Sequence, residues 1–203
     1  MSIGLDELGY DDRLYILAFD HRGSFEKMVG DNERVPGAKT LIWEGFQRAV
    51  EQGAPKSFAG VLVDGQYGPD VAREAKAGGY KLAMPVEKSG QNEFDFEYGD
   101  RFGEKIEEFD PDFSKVLVRY NPEGDQAMNE RQIEKLRRLS EWLRAGAGLD
   151  GYIGFAIGRS IFGESVKAYA ADPDGFDRDA AVEKIARNYL RFIEVYEGAP
   201  APA

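Results

Sequence analysis

The sequence predicts a parallel α/β fold, on three observations. Five short apolar runs, at 15–20, 58–64, 80–87, 115–120 and 152–158, are continuous rather than alternating, as in strands covered on both faces. Helical stretches follow most of them, and the order strand then helix repeats along the chain. Each run also closes on glycine or ionisable residues, which is how a buried strand hands over to a loop that carries chemistry. The 203 residues suffice for one domain with a substantial core, and 1–203 reads as a single domain with neither linker nor low-complexity segment.

The elements follow in order. The first run, Leu14-Tyr15-Ile16-Leu17-Ala18-Phe19, stops abruptly at Asp20-His21-Arg22, then Gly23 and a Ser24 able to cap a helix. A helix over 38–52 carries Leu41, Ile42, Phe46 and Val50 at helical spacing and ends near Gly53. A helix over 69–77 begins with Pro at its first turn. The stretch 98–109 is ambiguous. A strong amphipathic helix over 129–144 aligns Ile133, Leu136, Leu139, Trp142 and Leu143. Another over 177–197, with Asp177 or Asp179 as its cap, turns Val182, Ile185, Tyr189, Phe192 and Ile193 inward. Trp43 and Trp142 lie on amphipathic faces and read as core rather than as stacking platforms. Residues 198–203 are expected to fray.

Composition excludes several classes. Lys and Arg number 26 against 37 Asp and Glu, a net charge of −11, so neither nucleic acid nor an anionic membrane is expected as a partner. There is no cysteine and a single histidine, which removes disulfides, thiol nucleophiles and a structural zinc site; no metal and no cofactor is expected. No apolar run approaches the ~20 residues of a membrane span. The first residues lack a basic segment followed by an apolar one, so a cytoplasmic location is expected.

The candidate site is the set of strand-end residues. The first run offers Asp20, His21 and Arg22; the second ends Val63-Asp64-Gly65-Gln66-Tyr67-Gly68; the third ends Glu87-Lys88-Ser89-Gly90; the fourth contains Lys115 and Arg119; the fifth ends Gly158-Arg159-Ser160. Carboxylates, cations, an amide and glycines on one rim suit a sugar phosphate or a similar polyhydroxy anion, since Arg grips phosphate through two N–H groups. Each has a plainer reading beside it. Asp20 could simply cap the next helix, His21 could be a satisfied half-buried hydrogen bonder, and Glu87-Lys88 an exposed ion pair worth little. Lys115 reads as the start of its strand. Alternation would then set Lys115, Leu117 and Arg119 on one face and Val116, Val118 and Tyr120 on the other.

Five blocks in this order carry a resemblance: Leu17-Ala18-Phe19-Asp20-His21-Arg22-Gly23-Ser24, Val63-Asp64-Gly65-Gln66-Tyr67-Gly68, Pro85-Val86-Glu87-Lys88-Ser89-Gly90, Lys115-Val116-Leu117-Val118-Arg119-Tyr120 and Ile153-Gly154-Phe155-Ala156-Ile157-Gly158-Arg159-Ser160. Together they closely resemble the aldolase-like (DUF2090) domain at the carboxyl-terminal end of bacterial 5-dehydro-2-deoxygluconokinase fusion proteins of myo-inositol catabolism, a domain related to tagatose-bisphosphate aldolase. The resemblance implies a (β/α)8 TIM barrel. It also implies a class I-like aldolase that splits 2-deoxy-5-keto-gluconate 6-phosphate into dihydroxyacetone phosphate and malonate semialdehyde. By the same resemblance Asp20 handles protons at the reacting carbon, and His21 stands where the tagatose branch has Gln. Lys115 helps hold substrate and phosphate, Glu87 and Lys88 form the third-strand pair, and Gly158 with Arg159 forms the last-strand phosphate site.

One departure is large. Residues 144–150, Arg-Ala-Gly-Ala-Gly-Leu-Asp, join the fourth unit almost directly to the equivalent of the eighth strand. The expected fold is therefore a shortened barrel of about five βα units, lacking strands five to seven and the Schiff-base lysine of class I aldolases. Its fourth and last strands must pair with each other, closing a small barrel, or with another chain; self-association is expected. Two functions are carried forward: an aldolase-type lyase on a phosphorylated keto sugar acid, and a non-catalytic sugar-phosphate binder or truncated product.

Overall fold

A computed structural model describes residues 10, 12–119, 121–143 and 154–197. Five strands, β1 (Leu14–Ala18), β2 (Ala59–Leu62), β3 (Lys81–Pro85), β4 (Phe113–Lys115) and β5 (Gly154–Ile157), form one sheet in the order β4-β3-β2-β1-β5, with every pairing parallel. Seven helices accompany them: α1 (Gly23–Val29), α2 (Val35–Glu51), α3 (Pro69–Ala77), α4 (Phe102–Phe109), α5 (Gln126–Leu143), α6 (Arg159–Ala171) and α7 (Arg178–Glu197). The predicted parallel α/β class is what the chain adopts.

The sheet is not closed. β5 lies against β1, from Leu14↔Gly154 to Leu17↔Ile157, and not against β4, so the small closed barrel is corrected to an open sheet with β4 and β5 at its edges. The physical reason is width: about eight strands are needed before a barrel interior holds its inward side chains. The fourth strand is also corrected. It spans Phe113–Lys115, so Lys115 is its last residue rather than its first. The apolar Val116 and Val118 misled the reading. They leave the ladder to pack with Val86, Phe94, Phe96, Phe102 and Leu139 between α4 and α5, while Leu117 is left 54% exposed. Tyr120, residues 145–149, the early part of the last apolar run and the tail from 198 lie outside the described residues.

Side chains alternate across the sheet. Tyr15, Leu17, Val61, Leu82 and Met84 face a large core completed by α1, α2, α3, α6 and α7. Ile16, Ala18, Leu62 and Ala83 form a smaller cluster on the other face. Trp43 is core, as expected, and donates its indole N–H to Glu74 at 2.7 Å. α2 and α7 cross closely because Gly45 has no side chain: a Cβ there would lie 2.4 Å from Ile185 Cγ2. Tyr189 of α7 donates its hydroxyl to the Tyr15 carbonyl at 2.7 Å, and burial holds its phenol well above the usual tyrosine range. Asp177 caps α7 by accepting from the Ala180 N–H at 3.0 Å.

Candidate functional site

A parallel sheet sends all its strand ends to one side. The ladder extends one residue past β1, where Phe19 N–H meets the Leu62 carbonyl at 2.8 Å, and past β3, where Val86 N–H meets the Lys115 carbonyl at 3.0 Å. Asp20 and Glu87 therefore leave the sheet at fixed points, and both are buried, 8% and 5% exposed. Asp64 follows β2 in the same way, since Ala18 and Leu62 are register partners. Three adjacent strands thus each present a carboxylate at one rim, and each needs a cation or hydrogen bonds to be tolerated there.

Asp64 is satisfied structurally. Its Oδ1 accepts the N–H groups of Gln66 and Tyr67 at 3.0 and 2.8 Å, and its Oδ2 accepts from Lys39 of α2. Lys39 is fully buried and also donates to the carbonyls of Phe19 at 2.8 Å and His21 at 3.2 Å. Burial pushes its pKa below the usual lysine value against the pull of Asp64. Sequence reasoning missed Lys39. The signal was present, since Val35, Lys39, Ile42 and Phe46 share one helical face and all are buried.

Asp20 and Glu87 share Lys115. Its Nζ donates to Asp20 Oδ2 at 2.9 Å and to Glu87 Oε1 at 2.5 Å. Burial acts to lower the Lys115 pKa, but the two carboxylates outweigh it and hold the group above the usual lysine value. Lys115 is therefore a fixed cation, set between two acids on the floor of the site.

Arg22, only 6% exposed, donates to Glu97 Oε2 at 2.6 Å and to the Glu87 carbonyl at 2.7 Å. Glu97 was not foreseen. It is delivered by the loop after β3, which doubles back so that Glu87 and Phe96 bridge antiparallel, with Glu97 N–H on the Val86 carbonyl at 3.0 Å. Gln132 of α5, fully buried, ties this loop to the segment after β4. It accepts from Phe94 N–H at 2.9 Å and donates to the Arg119 carbonyl at 3.0 Å. No local pattern marks Glu97 or Gln132, because both act across long sequence separations.

These residues line a cleft of about 510 Å³ that brings together Asp20, His21, Arg22, Glu87, Lys88, Lys115 and Arg119. Among the described residues, Lys88, Arg119 and the neighbouring Lys27 form no ion pair, so the cleft mouth offers unpaired positive charge. Burial lowers the His21 pKa; Asp20 opposes this, while Arg159, Lys39 and Lys115 add to it. His21 is accordingly held neutral more firmly than a free histidine.

The remaining candidates lie apart. Gly158 abuts the site: a Cβ there would lie 2.3 Å from the Ala18 carbonyl and 3.4 Å from His21 Cε1, so only glycine fits. Arg159 begins α6, exposed, close enough to act on the His21 charge but not lining the cleft. Ser160 opens toward a different hollow with Asn188 and Arg191. Gln66 lines a narrow apolar pocket behind Arg22, beside Tyr98 and Phe109. Among the described residues, no three His, Asp or Glu side chains are gathered as a metal ion would require. No described helix is long and apolar enough to cross a membrane.

Fold and site together define a parallel α/β protein whose ionisable residues converge in a cleft at the carboxyl ends of its strands. The chain belongs to the family of uncharacterized proteins conserved in bacteria (DUF2090), whose model matches residues 8–148. The match takes in Asp20, Arg22, Glu87 and Lys115 and stops short of β5. No curated protein matches the chain.

Proposed function

We propose that the cleft takes a phosphorylated keto sugar acid of the 2-deoxy-5-keto-gluconate 6-phosphate class, and that the chain acts on it as an aldolase-type carbon–carbon lyase of myo-inositol catabolism. The observation that carries this reading is Lys115, an ammonium held between Asp20 and Glu87 at 2.9 and 2.5 Å, in a cleft also lined by Lys27, Lys88 and Arg119, which form no ion pair among the described residues. The cations suit the phosphate and the acid group. In the cleavage, Asp20 accepts the proton of the hydroxyl on the carbon next to the bond that breaks. The bond's electron pair passes toward the ketone, and Lys115 stabilises the resulting enolate oxygen as a hydrogen-bonding cation. Reprotonation of the enolate releases dihydroxyacetone phosphate, with malonate semialdehyde as the other product. The strand order, with the last strand flanking the first, is that of a contiguous arc of a (β/α)8 barrel and supports descent from that fold. With both sheet edges unpaired among the described residues, the same reading has the protein self-associate. Its setting is the cytoplasm.

A second reading, a sugar-phosphate binder without turnover, is favoured by one specific observation: Lys115 is held protonated by two acids, so it is not an amine nucleophile for a Schiff base. A coupled assay decides. The protein is incubated with 2-deoxy-5-keto-gluconate 6-phosphate, and dihydroxyacetone phosphate is read through NADH oxidation by a glycerol phosphate dehydrogenase. Product formation, abolished in Asp20→Asn, supports the lyase. Calorimetric binding with no product supports the binder, and absence of both defeats the proposal. Borohydride trapping with no lysine adduct is expected in every case.

A further inference from the structure

Four buried side-chain atoms of the described residues have no hydrogen-bond partner, and three of them, His21 Nδ1, Arg22 Nε and Glu87 Oε2, belong to residues lining the same cleft. Buried polar groups are rarely left unpaired, because each loses its water without replacement. Their concentration at one place therefore points to a ligand that supplies the partners. Two of the three sit on side chains more than nine-tenths buried: Arg22 is 6% and Glu87 5% exposed. Their geometry is defined by what their other atoms already do. Lys115 occupies Glu87 Oε1, leaving Oε2 as an acceptor. Arg22 spends Nη1 on Glu97 and Nη2 on the Glu87 carbonyl, leaving the Nε–H as a donor. Nη2, which shares an edge of the planar guanidinium with Nε, lies 4.0 Å from Glu87 Oε1, so the two side chains that carry the free donor and the free acceptor are adjacent.

A free donor beside a free acceptor selects the group that fits both. A phosphate or carboxylate oxygen would satisfy Arg22 but face Glu87 with like charge. An ammonium would do the reverse. A hydroxyl accepts from the Arg22 Nε–H and donates to Glu87 Oε2 through one atom. We infer that Arg22 and Glu87 form a subsite for an alcohol, so that the ligand carries a hydroxyl close to the carbonyl addressed by Lys115, while its phosphate lies toward the unpaired cations. This rests on the sugar-phosphate reading of the cleft and adds to it the position at which the sugar is distinguished from a deoxy analogue.

The test is a pair of probes on the unaltered full chain. Dihydroxyacetone phosphate and hydroxyacetone phosphate share ketone and phosphate and differ by one hydroxyl. Titration calorimetry is expected to show dihydroxyacetone phosphate binding at least about tenfold more tightly, the discrimination produced when a site built around a hydroxyl meets a ligand without one. Glu87→Ala, which removes the acceptor and leaves Lys115 paired with Asp20, brings that ratio toward one, and the ratio rather than either affinity is the readout. Equal affinities in the unaltered protein overturn the alcohol subsite while leaving the sugar-phosphate reading standing. An unchanged ratio in Glu87→Ala overturns the assignment to Glu87. Binding of neither probe removes both the subsite and the reading beneath it.

Discussion

Lys115 Nζ lies 2.9 Å from Asp20 Oδ2, although 95 positions separate the two residues and two strands stand between theirs in the sheet. The contact crosses the carboxyl rim, where a lysine on an edge strand reaches over the end of β3 and meets Glu87 on the way. Removing the cation leaves two buried carboxylates facing each other. Lys115→Met is expected to cost on the order of 2 kcal/mol, below the ~3–5 of a fully buried broken pair because Lys115 retains some exposure. Urea unfolding midpoints of the variant and the unaltered protein measure it.

His21 is the single histidine of the chain, so its imidazole resonances are unambiguous. Burial, assisted by Arg159, Lys39 and Lys115, lowers its pKa. The NMR titration midpoint is expected below the ordinary value near ~6.5. The sign for stability follows. Between the lowered folded value and the ordinary one the unfolded chain binds more protons, so stability rises with pH across that window and is lost on acidification. His21→Asn flattens this slope, and a midpoint at or above the ordinary value would contradict the burial argument.

Lys39 and Asp64 form a buried pair that also holds the carbonyls of Phe19 and His21. Lys39→Met strands the Asp64 charge and two carbonyls together. A loss of about 3–5 kcal/mol is expected by chemical denaturation, the range for breaking one side of a buried pair. The variant should also lose ligand affinity, since the Asp20-His21 turn is anchored through those carbonyls.

Gln132→Leu preserves volume but leaves Phe94 N–H and the Arg119 carbonyl without partners. Two orphaned backbone groups together imply about 2 kcal/mol. The more specific readout is hydrogen exchange: the Phe94 amide should exchange much faster, with the α2–α7 amides affected only through global stability. An unchanged Phe94 rate would mean that the loop after β3 is held by other contacts.

The strand-end placement of the cleft residues was largely readable in one dimension. An apolar run that halts at Asp20-His21-Arg22 places those residues at a strand end whatever the neighbours are, and the same holds for Val86-Glu87-Lys88. The helix Pro69–Ala77 emerged at its predicted limits because a Pro start and a Gly-Gly stop are local signals. β4 did not, because Phe113-Ser114-Lys115 has no apolar signature of its own and its ladder is donated by β3. Glu97 and Gln132 were invisible as site residues for a related reason: each acquires its role from partners 13 to 75 residues away, whereas Lys39 was marked by the buried helical face it shares with Val35, Ile42 and Phe46.

The sequence by itself determined the parallel α/β class and the strand-end position of Asp20, Arg22 and Glu87, since buried strands and their termini are written in local hydrophobic pattern. Only the tertiary structure decided that β5 joins β1, that the sheet stays open, that Lys115 ends its strand, and that Lys115 serves Asp20 and Glu87 while Lys39 serves Asp64. Pairing a charge with one carboxylate rather than another is a matter of a few ångströms across the sheet, and that distance exists only once the strands are side by side.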